Sequence, residues 1–145
     1  MPTVSRTFDV TPAPAVVVPY LADFAHAEQW DPGTDSCVRN GAGPVEVGAS
    51  WHNTSTIAGI STELTYTLEQ LTPARVVLVG RNDTATSTET IDVTPTGTGS
   101  TIVYTNELEL HGAAALASPL AKVAFEKIGN DLVGQLTGVL DGLAG

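Results

Sequence analysis

One helix near the C-terminal end sets the main constraint on how this chain can fold. Ser118-Pro119 supplies an N-cap followed by proline at the first helical position, and Gly142 and Gly145 mark the far end. At about 100° per residue, Ala121, Phe125, Ile128, Leu132, Leu136, Val139 and Leu143 fall in one stripe, with Lys122, Glu126, Asn130, Thr137 and Asp141 opposite. Such a stripe has to lie on an apolar surface. Gly129, Gly134 and Gly138 each cost roughly 1 kcal/mol relative to alanine in a helix interior, so a close backbone approach or a bend is expected to offset them.

The preceding residues supply that surface as a sheet. Val4, Arg6, Phe8 and Val10 alternate with Ser5, Thr7 and Asp9, the period of a first strand. Thr11-Pro12-Ala13-Pro14 then predicts a helix start with Thr11 as cap, and Pro19 and Asp23 are expected to divide the segment through Phe24 into two short helices. Asp31-Pro32-Gly33 is a turn. From Thr34 to His111 the chain is rich in Thr, Val and Ser at a period near two. Turn signals at Gly41–Pro44, Ala58-Gly59, Thr72-Pro73, Arg81–Asp83 and Pro95–Gly99 divide it into about six antiparallel strands. The predicted fold is α+β: a curved antiparallel sheet of about seven strands gripping the long helix, with two short helices at one end and a cavity between helix and sheet.

Composition narrows the partners. A chain of 145 residues fits one domain, residues 1–145, able to bury about 70% of its unfolded surface. Six basic against sixteen acidic residues give a formal charge of −10, which repels phosphate backbones and excludes nucleic acid as a partner. The apolar stretch from Ala13 to Ala22 is interrupted by Pro14 and Pro19, so no membrane insertion is expected, and the start of the chain has no secretory h-region. The single Cys37 has no intrachain partner, which suits a reducing, cytoplasmic setting.

Two polar clusters invite a metal reading and fail it. His26, Glu28, Asp31 and Asp35 straddle the Pro-Gly turn without a ligand spacing, and turn capping by Asp31 accounts for them. Glu107, Glu109 and His111 share a strand face at steps of about 7 Å, too far apart to converge on one ion, and read as the solvated convex face. No metal and no cofactor are expected.

The concave face holds the better candidates. Ile102, Tyr104, Asn106, Leu108 and Leu110 share one face, and Tyr66 shares one with Leu64 and Leu68. Inward Ile91 and Val93 imply that Glu89 and Ser87 point inward too, and Trp51 shares a face with Ala49, Asn53 and Ile57. The candidate ligand-binding residues are therefore Trp51, Tyr66, Glu89, Tyr104 and Asn106 from the sheet, with Phe125, Ile128 and Leu132 from the helix. Glu89, if buried without a cation, would have a raised pKa; Arg81 is a candidate partner, but Val76–Val79 is apolar on both faces and leaves its direction open.

The stretches "PYLADFAHAEQWDP", "STETIDVTPTGTGSTIVYTNELELHG" and "PLAKVAFEKIGNDLVGQL" carry a resemblance over nearly the whole chain. The chain resembles the START-related (SRPBCC) superfamily, in its polyketide cyclase/dehydrase and lipid-transport-like branch with the birch-pollen-allergen-type helix-grip fold. The resemblance implies a hydrophobic ligand more firmly than an activity, and places Trp30 at the end of the second short helix, where it can shield the mouth of the cavity or the underside of the helix-to-sheet turn. The leading expectation is binding or transport of a lipid, polyketide or isoprenoid without catalysis. A polyketide aromatase/cyclase-type enzyme, and an acidic interaction domain resembling Hsp90-ATPase activators, are the alternatives. A homodimer is compatible with either.

Overall fold

The alternating segments form one antiparallel sheet. In the computed structural model, which describes residues 3–57, 59–111 and 119–143, the strands are β1 (Thr3–Val10), β2 (Thr34–Asn40), β3 (Ser50–Ile57), β4 (Ile60–Thr72), β5 (Arg75–Arg81), β6 (Ala85–Pro95) and β7 (Ser100–Leu110). Their order is β1-β7-β6-β5-β4-β3-β2. Each strand from β2 onward pairs with its successor, because the turn signals leave only short connections, and β1 closes against β7. The register shifts between Thr34 and Ser36 and between Leu68 and Gln70, where one strand carries an extra residue against its partner.

The short helices differ from expectation in detail. Helix α1 (Pro14–Ala22) is capped by the extended backbone of Ala13, with no side-chain bond and Pro14 at its start. Thr11, expected as the cap, instead donates its backbone N–H (2.8 Å) and hydroxyl (3.2 Å) to Asp141 Oδ1. Pro19 lies inside α1, where one lost backbone bond is outweighed by the burial of Val17, Val18, Leu21 and Ala22. The break falls at Asp23, whose carboxylate accepts from Ala25 N–H at 3.2 Å and starts a 3-10 turn (Phe24–His26) that leads into α2 (Ala27–Trp30). Glu28 on α2 accepts the Cys37 N–H at 2.7 Å, which blunts the β2 edge of the sheet.

Helix α3 (Pro119–Asp141) packs on β1, α2 and β3. Leu132, Leu136 and Leu140 are fully buried, while Val139 and Leu143 are half-buried. The stripe therefore swings by one residue near its end. The expected cap Ser118, and Gly145, lie outside the described residues. Polar ties fix the helix along its length: Arg6 to Glu126 (2.9 Å) and Asn130 (2.7 Å), Gln135 to the Gln29 carbonyl (2.9 Å), and Asp141 to Thr11.

The three helix glycines have different causes. A Cβ on Gly129 would collide with Val4 Cγ1, so glycine is what lets α3 approach β1 closely; Gly134 and Gly138 face open space. Gly129→Ala is expected to lower stability by about 1–3 kcal/mol despite its better helix propensity. Gly134→Ala and Gly138→Ala should each raise it by up to about 1 kcal/mol. Urea unfolding of the three variants checks the contrast, and a stabilising Gly129→Ala would contradict the close approach.

Candidate functional site

The β6–β7 register builds the centre of the concave face. Glu89 lies opposite Asn106 and Ile91 opposite Tyr104, so Tyr104 is the diagonal neighbour of Glu89. The Tyr104 hydroxyl donates to Glu89 Oε1 at 2.6 Å, and Asn106 Nδ2 donates to Ser87 Oγ at 3.0 Å. Glu89 is only 2% exposed. Its other oxygen, Oε2, has no hydrogen-bond partner among the described residues, and neither has the buried Trp30 Nε1.

The Tyr104 ring belongs to an aromatic cluster. Trp30, at the end of α2, meets Tyr104 edge-on at 6.2 Å and Phe24 at 6.0 Å. Phe24 tilts against Tyr66 at 4.5 Å and meets Trp51 edge-on at 6.3 Å. Tyr66 lies across from Gly80, where a Cβ would stand 2.6 Å from the ring. The glycine makes room for the tyrosine.

Burial, and next the charge of Asp31, push the Glu89 carboxyl up to about 8, against the opposing pull of the Tyr104 hydrogen bond. Burial also raises Tyr66 and Tyr104 well above the usual phenol range, with Glu89 adding to it. Asp31 is raised by desolvation, although it accepts the Gly33 N–H and the Thr34 hydroxyl, each at 3.0 Å, as the turn requires. Burial takes the Cys37 thiol to about 12.

No described guanidinium bonds to Glu89. Arg81 points to the convex side and pairs with Glu69 at 2.9 Å, because Val76, Leu78 and Gly80 are the inward residues of β5. Arg6 sits at the β1 edge, held by Glu126 and Asn130. Arg39, at the β2 edge, donates to the carbonyls of Gly43 (3.2 Å) and Pro44 (3.3 Å) and lies 5.6 Å from the Trp51 ring.

Of the residues singled out in the sequence, Tyr66, Glu89, Tyr104 and Asn106 come together on the concave face. Trp51 is buried with them, but its Nε1 donates to Asp23 Oδ1 at 3.3 Å and ties β3 to the short helices. Leu132 is buried under α3, whereas Phe125 and Ile128 are half-buried. A groove of about 410 Å³ opens elsewhere, between α1 and the β4–β5 turn, lined by Val18, Pro19, Ala22, Val45, Leu71, Thr72 and Pro73. None of the eight candidates lines it. No group of metal-ligating side chains is found among the described residues. Glu107 and Glu109 are exposed, and His111 Nε2 sits 3.1 Å from the Thr86 hydroxyl.

The sequence did not point to Phe24, the hub of the ring cluster, nor to the effect of Asp31 on Glu89. Phe24 lies in a three-residue turn too short for a periodic signal. The approach of Asp31 to Glu89 depends on how the turn folds back over the sheet.

The raised Glu89 pKa makes stability pH-dependent. The folded state holds this proton more tightly than the unfolded chain, so stability falls as pH rises from about 4.5 to about 8 and then levels off. Glu89→Gln should therefore melt higher than wild type at pH 8–9, by as much as a few kcal/mol at about 1.4 kcal/mol per unit, with the gap closing toward pH 5. Melting curves of both proteins across that range check it; a gap that widens on acidification would reverse the sign.

Comparison with known proteins places this architecture. The family described as "Polyketide cyclase / dehydrase and lipid transport" matches residues 1–144. No match was found among curated proteins. A START superfamily protein from Mycobacterium smegmatis superposes with a TM-score of 0.78 at 16% identity, over 98% of this chain and 99% of that one. The Zhui aromatase/cyclase from Streptomyces sp. R1128 gives 0.72 at 16% identity, over 97% and 91%. The major latex-like protein of Panax ginseng gives 0.70 at 9%, over 95% and 96%. At these identities the likenesses show a shared fold and nothing about activity. With the family match spanning almost every residue, the chain belongs to the polyketide cyclase/dehydrase and lipid transport family.

Proposed function

We propose that the protein binds a small hydrophobic molecule, of the lipid, polyketide or isoprenoid kind, between α3 and the concave face, and orients it without transforming it. The observation that carries this reading is the pair of buried, unpartnered polar atoms, Glu89 Oε2 and Trp30 Nε1, among aromatic rings. An unmet buried polar group costs about 1–3 kcal/mol, and a polar group on a bound ligand offsets that cost. The ligand reaches the interior past Phe125 and Ile128, the half-buried part of the α3 wall. In this reading the chain works as one domain in the cytoplasm, where the lone thiol of Cys37 stays buried beneath the short helices. No described helix is long and apolar enough to cross a membrane.

An aromatase/cyclase-type reaction is the second reading, and one observation favours it. A carboxyl at about 8, hydrogen-bonded to a tyrosine, is suited to passing a proton near neutral pH. Against it, no described Lys, Arg or His bonds to Glu89 to hold a developing oxyanion beside it.

A melting-shift screen of lipids and aromatic polyketides separates the two. A carrier's ligand at 100 times its Kd should add about 2.7 kcal/mol of stability. Asn106→Leu is expected to change which compounds bind while the fold is kept, since it removes the donor to Ser87. Product formation by wild type, lost in Glu89→Gln with affinity intact, would replace the carrier reading with the enzymatic one.

A further inference from the structure

We propose that the interior selects a small apolar ammonium ion, a protonated amine on a hydrocarbon or aromatic skeleton, with its head group against Glu89 Oε2. This rests on the reading of the concave face as a ligand site and adds the charge of what it takes.

The first argument is the state of the carboxyl itself. Glu89 is 2% exposed, one oxygen is engaged by Tyr104, and the other is unpartnered. The titratable groups that act on it or respond to it are Tyr104 on β7, Tyr66 on β4, Cys37 on β2 and Asp31 after α2. All of these are neutral or negative. The described cations on other elements bond elsewhere: Arg6 on β1 to Glu126, Arg39 on β2 to loop carbonyls, its buried Nε being left without a partner, and Lys127 on α3 to Asp131 at 2.7 Å. Lys122 is exposed. Among the described residues, no Lys, Arg or His bonds to this interior carboxyl.

The second argument is the lining. Tyr104 bonds the carboxyl and belongs to one aromatic cluster with Trp30, Phe24 and Tyr66, and aromatic rings attract an ammonium ion as well as its alkyl flanks. A carboxylate ligand would meet two acids in a low-dielectric interior. A neutral alcohol would satisfy one lone pair but leave the carboxyl protonated. An ammonium head supplies up to three donors, meets Oε2 and neutralises the charge that burial alone disfavours. The formal charge of −10 further enriches cations near the surface.

Binding then displaces one proton. Near pH 7 the free site is mostly the protonated acid, and its complex is carboxylate with ammonium, so one H⁺ passes to solvent for each amine bound.

Isothermal titration of the whole protein with octylamine, 1-octanol and octanoic acid tests this. At pH 7 octylamine should bind at least about tenfold more tightly than octanol, with octanoate weakest. Heats in buffers of different ionisation enthalpy should report close to one proton released. Affinity for the amine, which stays protonated below roughly pH 10, should rise by up to about tenfold per pH unit from 6 and flatten above 8. Glu89→Gln should lose both the amine preference and the proton release. Octanol or octanoate binding as tightly as octylamine to wild type, or an amine preference that survives Glu89→Gln, would overturn the proposal while leaving a hydrophobic-ligand site in place. If none of the three compounds binds, the proposal and the reading beneath it fall together.

Discussion

The burial of Leu132, Leu136 and Leu140 beneath α3 is the contact on which the other features depend. Each fully buried leucine contributes about 1.5–3 kcal/mol, and the sheet's apolar face gains its cover from the same contact. Gly129 brings the helix backbone onto Val4, while Arg6, Gln29 and Thr11 fix its azimuth and its end. With the helix set in this way, the concave face is closed to water. Closure is what turns Glu89 from an ordinary carboxylate into an acid that holds its proton near neutral pH.

That acid has a structural cost which the surroundings only partly relieve. Tyr104 engages one oxygen, and the negative neighbour Asp31 works in the opposite direction. A purely structural core would gain from glutamine or leucine at this position, since a buried carboxyl with an unmet oxygen, which must either hold a proton or carry an unpaired charge, costs stability. Polar groups kept at such a cost cluster where ligands are bound or reactions occur. The carrier and cyclase readings both draw on this one residue. They differ in whether Glu89 passes a proton to or from the ligand in a reaction.

Shape and electrostatics are joined at the same place. Tyr66 occupies the room left by Gly80, and Phe24 joins Tyr66, Trp30 and Trp51 into a cluster. Trp51 anchors that cluster through the bond of its Nε1 to Asp23. The open groove beside α1 lies outside the cluster.

Much of this was legible in the residues themselves. Alternation gave the strands and the inward direction of Tyr66, Glu89, Tyr104 and Asn106, because a period of two leaves no choice of face once one face is apolar. The helix stripe and the turn residues gave the order of the elements for the same local reason. Where both faces were apolar, as in Val76–Val79, the pattern was silent, and only the pairing of Gly80 with Tyr66 sent Arg81 outward to Glu69. The cap at Ala13, the tolerance of Pro19 and the role of Gly129 were likewise decided by packing, which overrides local propensity when buried area is at stake. The nearness of Asp31 to Glu89 and the place of Phe24 among the rings were tertiary outcomes. They join residues far apart in sequence whose separation is set by the curvature of the sheet and the seat of the helices, and no short-range period encodes that distance.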